Sequence, residues 1–141
     1  MNIVKAAGAV VYTIVNNNIY YVIVENKKNI CGFPKGMIED EETEKVAALR
    51  EIMEETSLQV QLMDDFKETL TYYQPEYDRV KYVTYFIGYY HNQIIKFPKC
   101  ELNGCYLLSY DEAKEKIKET NTLELLANVN ELIKKKGKIE K

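Results

Sequence analysis

Residues 36–58 read GMIEDEETEKVAALREIMEETSL. The spacing predicts a helix from Thr43 to Thr56, preceded by the acidic run Glu39, Asp40, Glu41 and Glu42, which stands where the positive end of the helix dipole favours carboxylates. At about 100° per residue, Glu51, Glu54 and Glu55 fall within roughly a third of the circumference, with Ala47 and Ala48 beside them one turn back. Val46, Leu49, Ile52 and Met53 take the opposite arc, and an amphipathic helix turns that arc to the core. The three carboxylates then look into a cleft or into solvent.

A merely solvated acidic face is a poor account of this helix. Like charges at i,i+3 and i,i+4 destabilise a helix by about 0.2–0.5 kcal/mol per pair, and no basic residue is expected one turn away to relieve them. Glu54 and Glu55 also stand in the last turn, where the dipole disfavours negative charge. A bound divalent cation reverses both penalties, and clustered carboxylate oxygens are what magnesium or manganese takes.

Outward from the helix, the rest reads as α/β. Ala6–Val15 and Ile19–Glu25 are β-branched and aromatic runs joined by Asn16, Asn17 and Asn18, so a hairpin is predicted. Asn29 to Glu42, with Gly32, Pro34 and Gly36, reads as a loop holding at most one short strand. Strand content is expected in Gln59–Tyr73. Val80–Tyr90 is a clearer strand: both of its alternating sets are largely apolar, which suits a strand covered on two faces. Tyr106–Leu108 reads as a short strand, and Asp111–Glu119 and Leu123–Lys136 as helices. The lysines at 134, 135, 136 and 138 fit the solvated end of the last helix.

Composition narrows the class. The 141 residues, 46% hydrophobic and 29% charged, suit one globular domain spanning 1–141. A net charge of -3 does not favour a sequence-independent grip on nucleic acid, so no stable nucleic-acid complex is expected. The apolar run Ala6–Val15 is far short of the roughly 20 residues that span a bilayer, no signal-peptide cleavage site follows, and a cytoplasmic location without membrane contact is expected. Cys31, Cys100 and Cys105 form no C-x-x-C pair and read as small buried or half-buried thiols. His91, the only histidine, reads as a surface residue at a strand end, and no nucleophile elbow, zinc helix or phosphate-loop motif is present.

Gly36, Glu42, Arg50, Glu51, Ile52, Glu54, Glu55 and Leu58 together resemble the Nudix box at the required spacings, with Ser57 in place of the final glycine. The resemblance runs from about Lys5 to about Ala113 and implies an α/β/α sandwich around a mixed sheet. It implies a metal-dependent hydrolase of a diphosphate bond, with Mg2+ or Mn2+ as cofactor. Glu54 and Glu55 would be metal ligands and Glu51 a ligand or the base that activates water; the Gly36 carbonyl would complete the metal shell. Glu42 and Arg50 would be an ion pair orienting the helix. At Ser57 a positive φ would cost up to about 1 kcal/mol relative to glycine.

The flanks resemble the asymmetrical diadenosine tetraphosphate hydrolases within that family. Phe33-Pro34-Lys35-Gly36 matches their entry sequence, and Lys35 would meet a phosphate as a point charge. Tyr73 is the nearest match to a base-stacking tyrosine, with Tyr72 and Tyr77 as competitors. Glu101, followed by residues 106–113, resembles the family's late metal-binding glutamate, although Leu107 stands where a tryptophan is usual. Arg79 and Lys81 read better as a solvated strand end than as phosphate contacts. The resemblance implies a nucleotide substrate; triphosphate-ended RNA and nucleoside triphosphates are rival substrates, and a nucleotide-sensing binding module is the rival from another class.

Overall fold

Asn16 and Asn17, with φ of 51° and 67°, make the two-residue turn that joins β1 (Asn2–Val15) to β2 (Asn18–Asn26). Two successive positive φ angles match the right-handed twist of the flanking strands, and asparagine tolerates them. The structure, a computed structural model, describes residues 2–139, with side chains to residue 137. β1 is longer than its apolar run because residues 2–5 are held by parallel pairing with Arg79–Tyr82.

The predicted loop after β2 contains two short strands, β3 (Cys31–Gly32) on β2 and β4 (Lys35–Met37) on β1. Helix α1 (Glu44–Thr56) follows, then β5 (Gln61–Leu62) and β6 (Glu68–Gln74), both antiparallel to β7 (Arg79–Tyr89). A 3-10 turn at Pro75–Tyr77 links β6 to β7. β7 runs parallel to β1, and β8 (Leu102–Ser109) returns antiparallel to β2. The chain ends in α2 (Tyr110–Lys116), opened by a Ser109–Glu112 capping box, and α3 (Thr120–Ile139).

Strand alternation divides the core into two layers. Ala6 and Val10 of β1, with Val83, Tyr85 and Ile87 of β7, pack against α2 and α3 through Ile117, Leu126 and Val129. Ala7, Ala9 and Val11, with Val22 and Phe86, pack on the other face against Ala47, Ala48 and Ile52 of α1. The architecture is the expected α/β/α sandwich around a mixed sheet, and the two-sided cover of β7 is as its sequence implied.

One expectation is overturned. Val46, Leu49 and Met53 do not face the core; they are 52%, 40% and 38% exposed, and only Ile52 of the proposed core arc is buried. The inward arc is instead Ala47, Ala48, Ile52 and Thr56. Alanines on the helix meet Ala7 and Ala9 on β1, so the two backbones approach closely, and small residues gain more from that packing than larger ones could. Glu55, one turn on from Ile52 and two from Ala48, is thereby carried inward and is half-buried.

α1 begins at an N-cap Thr43 that accepts from the Val46 amide, and ends at Ser57 with φ 66° and ψ 14°. This is the left-handed C-cap for which glycine is the strain-free residue. Ser57 Oγ recovers part of the cost by donating to the Lys96 carbonyl at 2.9 Å in an exposed setting. Ser57→Gly should therefore leave stability unchanged or raise it by up to about 1 kcal/mol, read as an unchanged or higher midpoint in urea unfolding. A lower midpoint would assign more weight to the Ser57–Lys96 bond than to backbone strain.

Candidate active site

The turn between Phe33 and Ile38 lies against the carboxylate side of α1 because neighbouring backbones leave it little room. Pro34 carbonyl accepts from the Ala9 amide at 3.2 Å, and a Cβ on Gly8 would stand 2.1 Å from that same oxygen. Two residues on, a Cβ on Gly36 would meet the Glu51 carboxyl carbon at 2.0 Å. Gly36 and Glu51 are thus in contact, and any side chain at 36 would take the space of the carboxylate.

Arg50 fixes this arrangement. Its Nε and Nη2 donate to the two Glu42 carboxylate oxygens at 2.7 and 2.8 Å, and Nη2 also donates to the Met37 carbonyl at 2.9 Å. Nη1 donates to Glu51 at 2.8 Å and to Glu54 at 3.3 Å. The expected Glu42–Arg50 pair is present and bidentate. Arg50 also relieves Glu51 and Glu54, contrary to the expectation that no cation stands near them. Hydrogen bonds from Arg50 and the Glu39 amide hold the Glu42 carboxyl down at about 2, and the bond to Glu42 is the first cause that raises Arg50.

Glu55 accepts from the Lys35 amide at 2.8 Å. Burial pushes its carboxyl up to about 7 despite that bond and the nearby Lys35 charge, while Glu51 and Glu101 add repulsion. Burial also raises Glu51. Glu101 is exposed in the turn before β8 and faces the same cleft as Glu55.

That cleft has a volume of about 770 Å3. Lys35, Glu55, Tyr73, Lys81 and Glu101 line it together. Of the sequence-derived site residues, Gly36 and Glu51 meet each other beside Lys35 and Glu55 but outside the lining itself, and Tyr73, 57% exposed, stands on β6 at its rim. Glu54 lies outside the lining, exposed and held by Arg50. Of the competitors, Tyr72 is engaged with Thr122 at 3.1 Å, and Tyr77 carries Arg79 over its ring at 4.5 Å.

Lys81 departs from expectation. It is a half-buried wall of the cleft and not a solvated strand end, and burial first, then Lys35 and Arg79, lowers its pKa to about 8. Its sequence signal was its parity with Val83 and Tyr85 on a strand covered on both faces. Cys31 and Cys105 are half-buried free thiols as expected, but Cys100 is exposed. His91 is exposed.

Among the described residues no three carboxylate, thiol or imidazole groups converge closely enough to enclose an ion. The donors nevertheless fit magnesium or manganese in kind: the hard carboxylate oxygens of Glu51 take the room left by the absent side chain of Gly36, and those of Glu55 sit at the amide of the residue before it. No helix among the described residues is long and apolar enough to cross a membrane.

A mixed sheet between helices, with a carboxylate-bearing helix meeting a glycine loop at one cleft, defines the class of phosphoanhydride hydrolases outlined from the sequence. The NUDIX domain family model matches residues 4–129, and the chain belongs to that family of Nudix hydrolases, which generally use divalent metals. No curated protein sequence matches. Among solved structures, a binary complex of the Caenorhabditis elegans Ap4A hydrolase superposes with a TM-score of 0.85 at 24% identity, covering 92% of this chain and 97% of that one. The NUDIX domain of Shewanella oneidensis NrtR, complexed with ADP ribose, gives 0.76 at 12% identity over 94% and 90% of the two chains. The Escherichia coli dihydroneopterin triphosphate pyrophosphohydrolase gives 0.69 at 15% identity over 88% and 92%. At these identities the likeness is one of fold.

The raised Glu55 carboxyl has a linkage consequence in the metal-free protein. Because its folded pKa of about 7 exceeds the ordinary 4.5, its contribution to stability is complete below about pH 4.5 and is lost as pH rises through about 7. A divalent cation that takes the charged carboxylate must displace this proton. Calorimetric titration with magnesium in buffers of different ionisation enthalpy should show proton release near pH 6, vanishing above about pH 8 and absent in Glu55→Gln. A proton count independent of pH would contradict this reading of Glu55.

Proposed function

We propose that the protein, a single Nudix domain over 1–141 working in the cytoplasm, hydrolyses diadenosine tetraphosphate asymmetrically to ATP and AMP. The observation that carries this reading is the meeting, in one cleft, of the carboxylates of Glu55 and Glu101, the half-buried cations Lys35 and Lys81 and the exposed Tyr73. A dinucleoside polyphosphate has the matching parts: a phosphoanhydride, a chain of anionic oxygens and a base with a π face. The fold likeness to an Ap4A hydrolase supports the same substrate.

Glu51, Glu54, Glu55, Glu101 and the Gly36 carbonyl would hold Mg2+ or Mn2+, which when bound screens phosphate oxygens and lowers the pKa of water. Glu51, against Gly36 and bonded to Arg50, holds a proton acceptor at a fixed point. Lys35, whose amide is tied to Glu55, and Lys81 oppose the charge of the phosphate chain. Arg50 acts by positioning Glu51 and Glu54 through its bonds to Glu42 and Met37. Tyr73 stacks on one adenine, so the bond that is cut is set by the length of phosphate chain between rim and carboxylates.

Cleavage in oxygen-18 water with magnesium should yield ATP and AMP from diadenosine tetraphosphate, with label in one product only. EDTA should abolish turnover, and magnesium or manganese should restore it. Glu55→Gln should lower kcat at least about a hundredfold with the fold intact. Tyr73→Ala, which removes a stacking contact of about 1–3 kcal/mol, should lower kcat/KM roughly ten- to a hundredfold without changing metal affinity. Two ADP molecules as the main product exclude asymmetrical cleavage. Release of pyrophosphate from triphosphate-ended RNA with no action on the dinucleotide selects the RNA reading, and nucleotide binding without any turnover selects a sensor.

A further inference from the structure

Beyond Tyr73, two cations from separate turns share one aromatic ring. Arg79, the first residue of β7, sets its guanidinium 4.5 Å from the Tyr77 ring centroid, and Lys28, between β2 and β3, sets its ammonium 5.9 Å from the same centroid. Neither has a carboxylate within ion-pair distance among the described residues. Arg79 Nε donates to the neutral Gln74 Oε1 at 2.6 Å, which aims the guanidinium without neutralising it.

The turn that carries Lys28 is built, not loose. Asn26 Oδ1 accepts from the amides of Lys28 and Ile30 at 2.9 and 3.0 Å, Asn103 Nδ2 donates to Asn29 Oδ1 at 2.9 Å, and Lys27 Nζ donates to the Lys99 carbonyl at 2.6 Å. Lys27 and Lys28 line the cleft with Tyr73. On the opposite side, Arg79 and Lys81 are two residues apart on β7 and leave the same face, their Cα atoms about 6.6 Å apart. Lys28, Lys35 and Lys81 line the cleft, and Arg79 stands just beyond the lining, two residues before Lys81 on β7. Glu76 and Glu119 share this end of the cleft, but neither pairs with these cations.

Like charges gathered without counter-charges raise the free energy of the empty protein, and a multiply charged anion relieves it. Burial first, and then repulsion from Lys35 and Arg79, lowers the pKa of Lys81. A mononucleotide seated between Tyr73 and the carboxylates would leave the outer pair unused.

We propose that Lys28 and Arg79, gathered on Tyr77, form an outer anion subsite for the far phosphate-bearing half of a dinucleoside polyphosphate whose other base lies at Tyr73. The proposal rests on the substrate reading above and makes the outer pair a specificity element that separates long polyphosphate substrates from mononucleotides. Tyr77 then serves as the platform that holds the two cations together, not as the base-stacking ring.

The test is calorimetric binding of a methylene-bridged, non-hydrolysable diadenosine tetraphosphate, of ADP, and of a triphosphate-ended RNA oligonucleotide to the full chain with magnesium. Lys28→Gln with Arg79→Gln should weaken dinucleotide binding at least about tenfold while ADP binding stays within about twofold and the melting temperature is unchanged. Arg79→Lys, which keeps the charge, should retain most of the affinity. Unchanged dinucleotide affinity in the double variant, equal weakening of ADP, or no dinucleotide binding by the unaltered protein each overturns the subsite. A loss confined to RNA overturns the dinucleotide as its occupant. Failure of the cleavage reading is separate: it shows as wrong or missing products while the dinucleotide-to-ADP affinity ratio still responds to the two charges.

Discussion

The guanidinium of Arg50 is the interaction on which the site depends. Its donors are spread over Glu42 before the helix, Met37 in the loop, and Glu51 and Glu54 on the helix itself. A planar fork with fixed donor directions ties these segments in one geometry, which a flexible ammonium could not do. Because Glu42 is held, the loop that ends at Thr43 cannot swing away from α1. Because Met37 is held, Gly36 stays against Glu51. The helix N-cap, the glycine loop and two carboxylates are therefore positioned by a single side chain that lies beside the cleft lining.

Close backbone approach is the second constraint, and it acts through small residues. Gly8 admits Pro34 and Lys35, Gly36 admits Glu51, and Ala47 and Ala48 bring α1 down on Ala7 and Ala9. A larger side chain at any of these points would push the loop or the helix outward. This packing rotates α1 so that Glu55 is carried inward and Val46, Leu49 and Met53 are turned out. Exposed apolar residues on α1 are thus the counterpart of a half-buried carboxylate: one helix cannot turn both faces to the sheet.

The fold was legible where one local signal had no competitor. Asn16 and Asn17 specified a turn, and two-sided apolar alternation specified β7. The spacing from Gly36 to Glu55 likewise carried the family resemblance, and with it the sandwich fold. Reading α1 by bulk hydrophobicity gave the wrong inward arc, because it counted Val46, Leu49 and Met53 and overlooked what adjacent alanines permit. Arg50 was read as the partner of Glu42 alone, since its reach to Glu54 at i+4 depends on the rotamer that the Met37 and Glu42 contacts impose. Lys81 was read as solvated because exposure at a strand end is decided by what lies across the sheet. Here that is the cleft wall, of which the parity of Lys81 with Val83 and Tyr85 was the one local sign.

The cleft also joins two electrostatic costs of opposite sign. Burial raises Glu55 and lowers Lys81, so each group is drawn toward its neutral form, and the Glu55 charge in turn favours the ammonium of Lys81. Their attraction offsets only part of the desolvation, since the residual shifts of both remain in the direction that burial dictates. A cation beside Glu55 restores the carboxylate, and an anion beside Lys81 restores the ammonium. Each therefore favours the other's arrival, because the restored charges face one another across the same cleft. A substrate that brings phosphate oxygens and divalent ions together satisfies both sets at once, whereas an ion of either sign alone leaves one of them desolvated and uncompensated.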